Sequence, residues 1–214
     1  MIIALDGPAG VGKSSVAKRV AELLNIKYIN SGNLYRAVTW AVLERPDVDI
    51  SSEHEITSLA QRLSFSLIDG QLGIDGKPVE EYLHTDRVDE KVAEVSSFPP
   101  VREIVNNELR GLTSDIDAVV EGRDISTVVF PDAEFKFFLD ASVETRAERR
   151  YSQGTSNLGI EEIKERIRHR DEIDAHKKIG RMALARDAVY IDTSHLTIDQ
   201  VCEKVIDTVK KERQ

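Results

Sequence analysis

The sequence predicts an α/β fold of three layers, with a central five-stranded parallel sheet between helices. Three observations predict it. Short apolar runs of strand type open at Ile2, Tyr28, Ala118, Phe135 and Val189, and segments of helical spacing alternate with them. The first run leads through a glycine-rich turn straight into a helix. A stretch of different patterning, approximately 37–110, interrupts the alternation and reads as an inserted subdomain of a single domain spanning 1–214. Alternating strands and helices imply right-handed crossovers.

The glycine-rich turn is the most informative stretch. Residues 7–14, Gly-Pro-Ala-Gly-Val-Gly-Lys-Ser, fit G-x-x-x-x-G-K-[ST]. Ile2–Leu5 supplies the strand before it, and Val16, Val20, Leu23 and Leu24 supply the helical spacing after it. Glycines let the backbone curl with its N–H groups pointing inward, and the helix start adds unpaired N–H groups and the positive end of a dipole. Gly7, Pro8, Ala9, Gly10, Val11, Gly12, Lys13, Ser14 and Ser15 are therefore the candidate site for a nucleoside triphosphate. Lys13 reaches the outer phosphates as a point charge, and the Ser14 hydroxyl is a candidate Mg²⁺ ligand.

After the first helix, Lys27–Asn30 reads as a short strand, and Ser31-Gly32-Asn33-Leu34-Tyr35-Arg36 runs into a helix over 37–43 that ends at Arg45-Pro46-Asp47. Ile56, Leu59, Ala60 and Leu63 space out another helix. Residues 63–68 alternate with period two, Asp69-Gly70 turns them, and 72–76 return, which predicts a hairpin. Residues 79–97 read as one helix with a charged face, Pro99-Pro100 as a break, and 101–112 as a further helix. The strand at Ala118-Val119-Val120 ends in Glu121-Gly122-Arg123-Asp124, and the strand at 135–139 ends in Asp140. Helix 143–151, a polar loop at 152–159 and a charged helix from 160 to about 176 follow; approximately 150–172 reads as a helical lid. The strand at 189–191 and an amphipathic helix at 198–211 close the chain.

In open α/β sheets ligands bind beyond the carboxyl ends of the strands. Four polar motifs lie at such ends: the phosphate loop, Ser31–Arg36, Glu121–Asp124 and the arginines after Asp140. They are expected along one edge of the sheet. Arg36 and Arg123 suit phosphate, because a guanidinium fork matches two phosphate oxygens. Arg146, Arg149 and Arg150 share one helix face. Glu144 and Glu148 interleave with them, so an ion-paired solvent face competes with a lid that brings positive charge to a phosphoryl group in transfer. Arg170, Asp174 and Lys177 share a face of the next helix, where composition alone favours a solvated charged surface.

Several function classes are disfavoured. The net charge of −9 argues against general nucleic-acid binding. No apolar run approaches the roughly 20 residues of a membrane span, and Met1 opens directly into a strand without a basic leader. The single cysteine, Cys202, falls on the apolar stripe of the last helix. It reads as a core thiol and fits a reducing cytoplasm. Five scattered histidines lack metal-ligand spacing. The N-K-x-D and D-x-x-G signatures of a GTPase switch are absent, and Glu121 stands where a mechanical ATPase carries its Walker-B aspartate. A kinase of small molecules fits the inserted subdomain better than a nucleotide-dependent switch or binding module.

Ser31-Gly32-x-x-Tyr35-Arg36, Glu121-Gly122-Arg123-Asp124-Ile125-x-Thr127-Val128-Val129-Phe130-Pro131-Asp132-Ala133 and Phe138-Leu139-Asp140-Ala141-Ser142 together resemble the bacterial cytidylate kinases, over nearly the whole chain. The resemblance implies a P-loop NTPase fold whose inserted subdomain binds the nucleoside monophosphate. It implies a (d)CMP kinase of pyrimidine nucleotide metabolism, a cytoplasmic monomer moving the γ-phosphoryl group of ATP, with Mg²⁺, to CMP or dCMP. By position, Ser31, Tyr35 and Arg36 would line the CMP site, and Arg36 and Arg123 would hold its phosphate. Arg102 and Asp124 would read cytosine, and Arg170 and Asp174 would contact the ribose. Lys13, Arg123, Arg149 and Arg150 are the candidate catalytic residues. A carboxylate at Asp124 accepts from the exocyclic N4 amine that uracil lacks. Three positions depart from the family pattern: Ala93 in place of a base-reading serine, Lys177 in place of an arginine, and Ser126 in place of a glycine. Because of Ala93, a uridylate or broader nucleoside monophosphate kinase stands as the alternative.

Overall fold

The structure is a computed structural model that describes residues 1–152, 154, 158–176 and 179–212, without the side chains of 176 and 212. In chain order the elements are β1 (Ile2–Asp6), α1 (Lys13–Leu24), β2 (Lys27–Asn30), α2 (Ser31–Leu43), α3 (Glu53–Ala60), β3 (Phe65–Ile68), β4 (Gln71–Ile74), β5 (Lys77–Pro78), α4 (Asp86–Val95) and α5 (Pro99–Thr113). They continue with β6 (Ala118–Gly122), β7 (Phe135–Asp140), α6 (Val143–Ser152), α7 (Ile160–His176), β8 (Val189–Asp192) and α8 (Ile198–Glu212). A 3₁₀ turn spans Glu80–Tyr82 and a π-helical turn spans Ile125–Val129. The chain divides into two compact units, residues 1–29 with 117–214, and residues 30–116.

The first unit is built on a five-stranded parallel sheet of order β2-β6-β1-β7-β8. β1 lies at its centre, with Ile3 opposite both Val119 and Phe135. Ile3 and Leu5 of β1 and Phe137 and Leu139 of β7 point to one face, because side chains alternate along a strand. There they meet Val16 and Val20 of α1 and Val201 and Val205 of α8. Each such fully buried side chain contributes roughly 1.5–3 kcal/mol. Cys202 lies in the same core, and burial pushes its thiol up, away from thiolate chemistry. Ala147, Ile163 and Ile167 form a separate small cluster that joins α6 to α7. Among the described residues no helix is long and apolar enough to cross a membrane.

The second unit packs α2 against α3, α4 and α5 beside a three-stranded antiparallel sheet, β3-β4-β5. Both of its tight turns are Asp-Gly pairs, Asp69-Gly70 and Asp75-Gly76, with all four residues at positive φ as a two-residue hairpin requires. The second turn adds β5, a strand that the sequence pattern did not reveal.

Three local differences from the sequence reading have physical causes. The segment at 79–97 is not one helix. Val79 and Leu83 are buried on either side of the 3₁₀ turn, and α4 starts only after Thr85, whose backbone is extended. α2 begins at Ser31, earlier than expected, because the Asn30 side chain caps it by accepting from Gly32 N–H. α5 begins at Pro99 itself: a proline in the first turn gives up an N–H that has no helical partner there anyway.

Candidate active site

In the first unit the phosphate loop joins β1 to α1. Gly7 has φ 147°, and a Cβ there would lie 2.0 Å from Leu139 O, so only glycine fits. Gly12 caps α1 in the left-handed region. The Lys13 ammonium, 6 % exposed, donates to Pro8 O at 2.7 Å. Burial pushes it well below the ordinary lysine range, and the neighbouring Arg123 charge adds to that; the carboxylates of Glu121 and Asp6 pull the other way. The Ser14 and Ser15 residues at the start of α1 are exposed.

The segment after β6 is fastened to this loop. Arg123 Nη1 donates to Gly7 O at 3.0 Å, and its Nε donates to Asp174 of α7 at 3.2 Å. Asp6, the last residue of β1, is fully buried and accepts three hydrogen bonds: from Ile125 N, from Ser126 N and, at 2.5 Å, from the Ser126 hydroxyl. Burial pushes the Asp6 carboxyl up, and these donors oppose the shift. Asp124, also buried, starts the π-helical turn, its carbonyl accepting from Val128 and Val129 N–H. Glu121 is buried and accepts from the Tyr28 hydroxyl at 2.5 Å.

The arginines of α6 have three different settings. Arg146 is buried, forms a two-pronged pair with Asp171 of α7 at 3.0 and 2.6 Å, and donates to Ala9 O and Ala141 O. Arg149 donates to Val11 O, Thr193 Oγ1 and O, and Leu196 O. It thus ties the phosphate loop to the turn after β8. Arg150 is exposed. Arg170 lies close enough to act on the charge of Lys13. Asp174 is buried and paired to Arg123, whereas Arg170 on the same face of α7 is exposed, as the composition of the helix suggested.

The second unit holds Ser31, Tyr35, Arg36 and Arg102. Ser31 and Tyr35 are buried on α2, and the Tyr35 hydroxyl donates to Asn106 at 3.1 Å. The Arg102 guanidinium lies over the Tyr35 ring, 5.2 Å from its centroid, and donates to Ser96 O. Arg36 Nη1 donates to Leu83 O at 2.9 Å and contacts Asp89 Oδ1 at 2.5 Å.

The structure therefore gathers the phosphate loop, Arg123, Asp124, Arg149, Arg170 and Asp174 in one unit, and Ser31, Tyr35, Arg36 and Arg102 in the other. Lys177 lies outside the described residues, as does part of the expected lid loop, at 153 and 155–157. The sequence reading missed Asp6, Tyr28, Asp171 and Thr193. The available signal was Asp6: a carboxylate that ends an otherwise apolar central strand must find donors or remain uncompensated.

A family model for cytidylate kinase matches residues 3–211. The chain belongs to the cytidylate kinase family. A cytidylate kinase from Caldanaerobacter subterraneus subsp. tengcongensis is 42 % identical over 98 % of this chain and 94 % of its own length. One from Borreliella burgdorferi strain ZS7 is 40 % identical over the full length of both. A crystal structure of a protein from Eubacterium ventriosum shares the fold, with a TM-score of 0.57 over 98 % of each chain at 12 % identity. Within this family member, Arg123 is fastened to the glycine-rich loop through Gly7 O.

Proposed function

We propose that this chain transfers the γ-phosphoryl group of ATP to CMP or dCMP, giving ADP and CDP or dCDP. The observation that carries the reading is the joining of Arg123 to the phosphate loop through Gly7 O, on a segment that continues into the buried Asp124. On this reading the loop for the donor phosphates and the segment for the acceptor are linked by a hydrogen bond. Family membership over residues 3–211 supports CMP as the acceptor; neither the uridylate kinase nor the switch-module alternative is favoured.

The phosphate loop, residues 7–15, is assigned to ATP. Ser31, Tyr35, Arg36, Arg102, Arg123, Asp124, Arg170 and Asp174 are assigned to CMP. Lys13 and Arg123 hold positive charge where negative charge develops on the moving group, and Arg149 and Arg150 extend that positive region from α6. Such transfer needs positioning and electrostatics rather than covalent work by the protein. Asp124 accepts from the cytosine amine. Ser14, an exposed residue at the head of α1 and next to Lys13, fits a hard cation that takes most of its oxygens from phosphates and water. Ser14 would hold Mg²⁺, which supplies charge neutralisation on the phosphate oxygens when bound. We place the enzyme in the cytoplasm, acting as a monomer.

The test is a coupled assay of ADP release with ATP and Mg²⁺, comparing CMP, dCMP, UMP and AMP. Strong turnover of CMP and dCMP with weak turnover of UMP is expected. Comparable turnover of UMP would overturn the base assignment, and no turnover with any acceptor would overturn the kinase reading.

A further inference from the structure

We propose that Asp89 is a positioning residue for Arg36, holding one edge of its guanidinium so that the other edge is presented to the phosphate of the nucleoside monophosphate. The inference rests on the assignment of Arg36 to that phosphate.

Arg36 lies on α2 and Asp89 on the first turn of α4. Asp89 Oδ1 is 2.5 Å from Arg36 Nη1, and the same nitrogen donates to the Leu83 carbonyl at 2.9 Å. Both contacts, a hydrogen bond to Leu83 O and an ion pair with Asp89, fall on Nη1. Among the described residues none engages Nε or Nη2 of Arg36, and those two nitrogens form the second fork of a guanidinium, the geometry that takes two phosphate oxygens.

The acceptors are firmly based. Leu83 is fully buried, and Val88 and Val95 bury the core face of α4, fixing the helix that carries Asp89. Near the end of α2, Arg87 ties α4 again, donating to Leu43 O at 3.2 Å and approaching Glu44.

An acidic residue in the first turn of a helix is ordinarily explained by the helix dipole. That explanation does not require a short contact to an arginine on another helix. A surface ion pair is also a weak source of stability. The Asp89 side chain is 52 % exposed and that of Arg36 only 18 %. Solvent weakens both the repulsion between Asp89 and an incoming phosphate and the attraction between Asp89 and Arg36, and the Leu83 carbonyl holds the same nitrogen from the buried side. What Asp89 contributes is a long side chain already held in one conformation before substrate arrives.

Steady-state kinetics with the full chain test this. Asp89→Ala is expected to raise KM for CMP about three- to tenfold, the equivalent of freeing one rotamer-rich side chain. The kcat at saturating CMP and KM for ATP should hold. Asp89→Glu keeps the carboxylate and should restore most of the affinity. Arg36→Ala is measured in parallel. If Arg36→Ala weakens CMP strongly while Asp89→Ala leaves KM unchanged, the role of Asp89 is overturned and the assignment of Arg36 stands. If Asp89→Ala lowers KM, the carboxylate competes with phosphate instead, and the positioning role is overturned. If Arg36→Ala leaves KM for CMP unchanged, the assignment of Arg36 and the inference fall together.

Discussion

Lys13 is a cation placed where a cation is unfavourable. Burial and Arg123 both push its pKa down, and Glu121 and Asp6 compensate only in the opposite direction. A polyphosphate in the loop supplies negative charge and pulls that pKa back up. The sign of the linkage follows. Below the lowered value Lys13 is protonated with or without nucleotide, and binding moves no proton. Between that value and the ordinary lysine value of about 10.4, the free enzyme has lost the proton and the complex regains it. ATP binding in that window is therefore expected to take up a proton. Calorimetry in buffers of different ionisation enthalpy measures this, and an absence of uptake across the window would contradict the electrostatic account of Lys13. Lys13→Ala is expected to cut turnover by roughly 10²–10³, as loss of one transition-state donor does; near-normal kcat would remove Lys13 from the mechanism. Asp124→Ala is expected to reduce the preference for CMP over UMP by about tenfold to a hundredfold with KM for ATP little changed, since one well-placed base contact is worth about 1–3 kcal/mol. An equal loss of ATP affinity would dissociate Asp124 from the base.

At the scale of elements, the loops matter more than the helices they join. Gly7 and Gly12 both have positive φ, yet they differ in surroundings: a Cβ at Gly7 meets Leu139 O at 2.0 Å, and one at Gly12 meets nothing within 4 Å. Gly12→Ala should therefore lower stability by only the backbone strain of about 1–2 kcal/mol. Gly7→Ala must displace β7 from β1 and should leave little folded protein; urea denaturation separates the two, and equal stabilities would contradict the close approach to β7. The strands and most helices were legible in the sequence because their apolar periods are regular, as in Ile2–Leu5 and Val201 to Val209. The break of 79–97 was not legible, because it depends on where Val79 and Leu83 find burial. The Asp6 clamp was not legible either. Its donors, Ile125 and Ser126, lie 119 and 120 residues away, and only the sheet order brings them together. Arg170 and Asp174 illustrate the same limit from the other side. Their spacing gives a helix face and their composition suggests solvent; Arg170 is exposed as composition suggests, while Asp174 is buried against Arg123, a partner 51 residues away that spacing does not reveal.

At the scale of the whole molecule, a protein of net charge −9 must attract an anionic substrate. On the proposed assignment, part of the positive charge for that substrate is buried. Lys13 and Arg146 are almost fully buried, and Arg123 and Arg149 are engaged with backbone carbonyls at the phosphate loop. Such charges reach a small phosphate ester that enters the loop. Buried or carbonyl-engaged charges of this kind do not themselves form the broad exposed basic face that a polymer of phosphates requires. Affinity for polynucleotides depends on many simultaneous exposed Lys and Arg contacts, each releasing a counterion. The enzyme is therefore expected to distinguish a mononucleotide from the same nucleotide within a chain by access alone. In an electrophoretic or anisotropy assay at about 0.15 M salt, cytosine-rich single-stranded RNA or DNA should show no binding at micromolar protein, while CMP binds. Micromolar or tighter binding of the oligonucleotide, weakening steeply as salt is raised, would reveal an exposed cationic surface and overturn burial as the basis of discrimination.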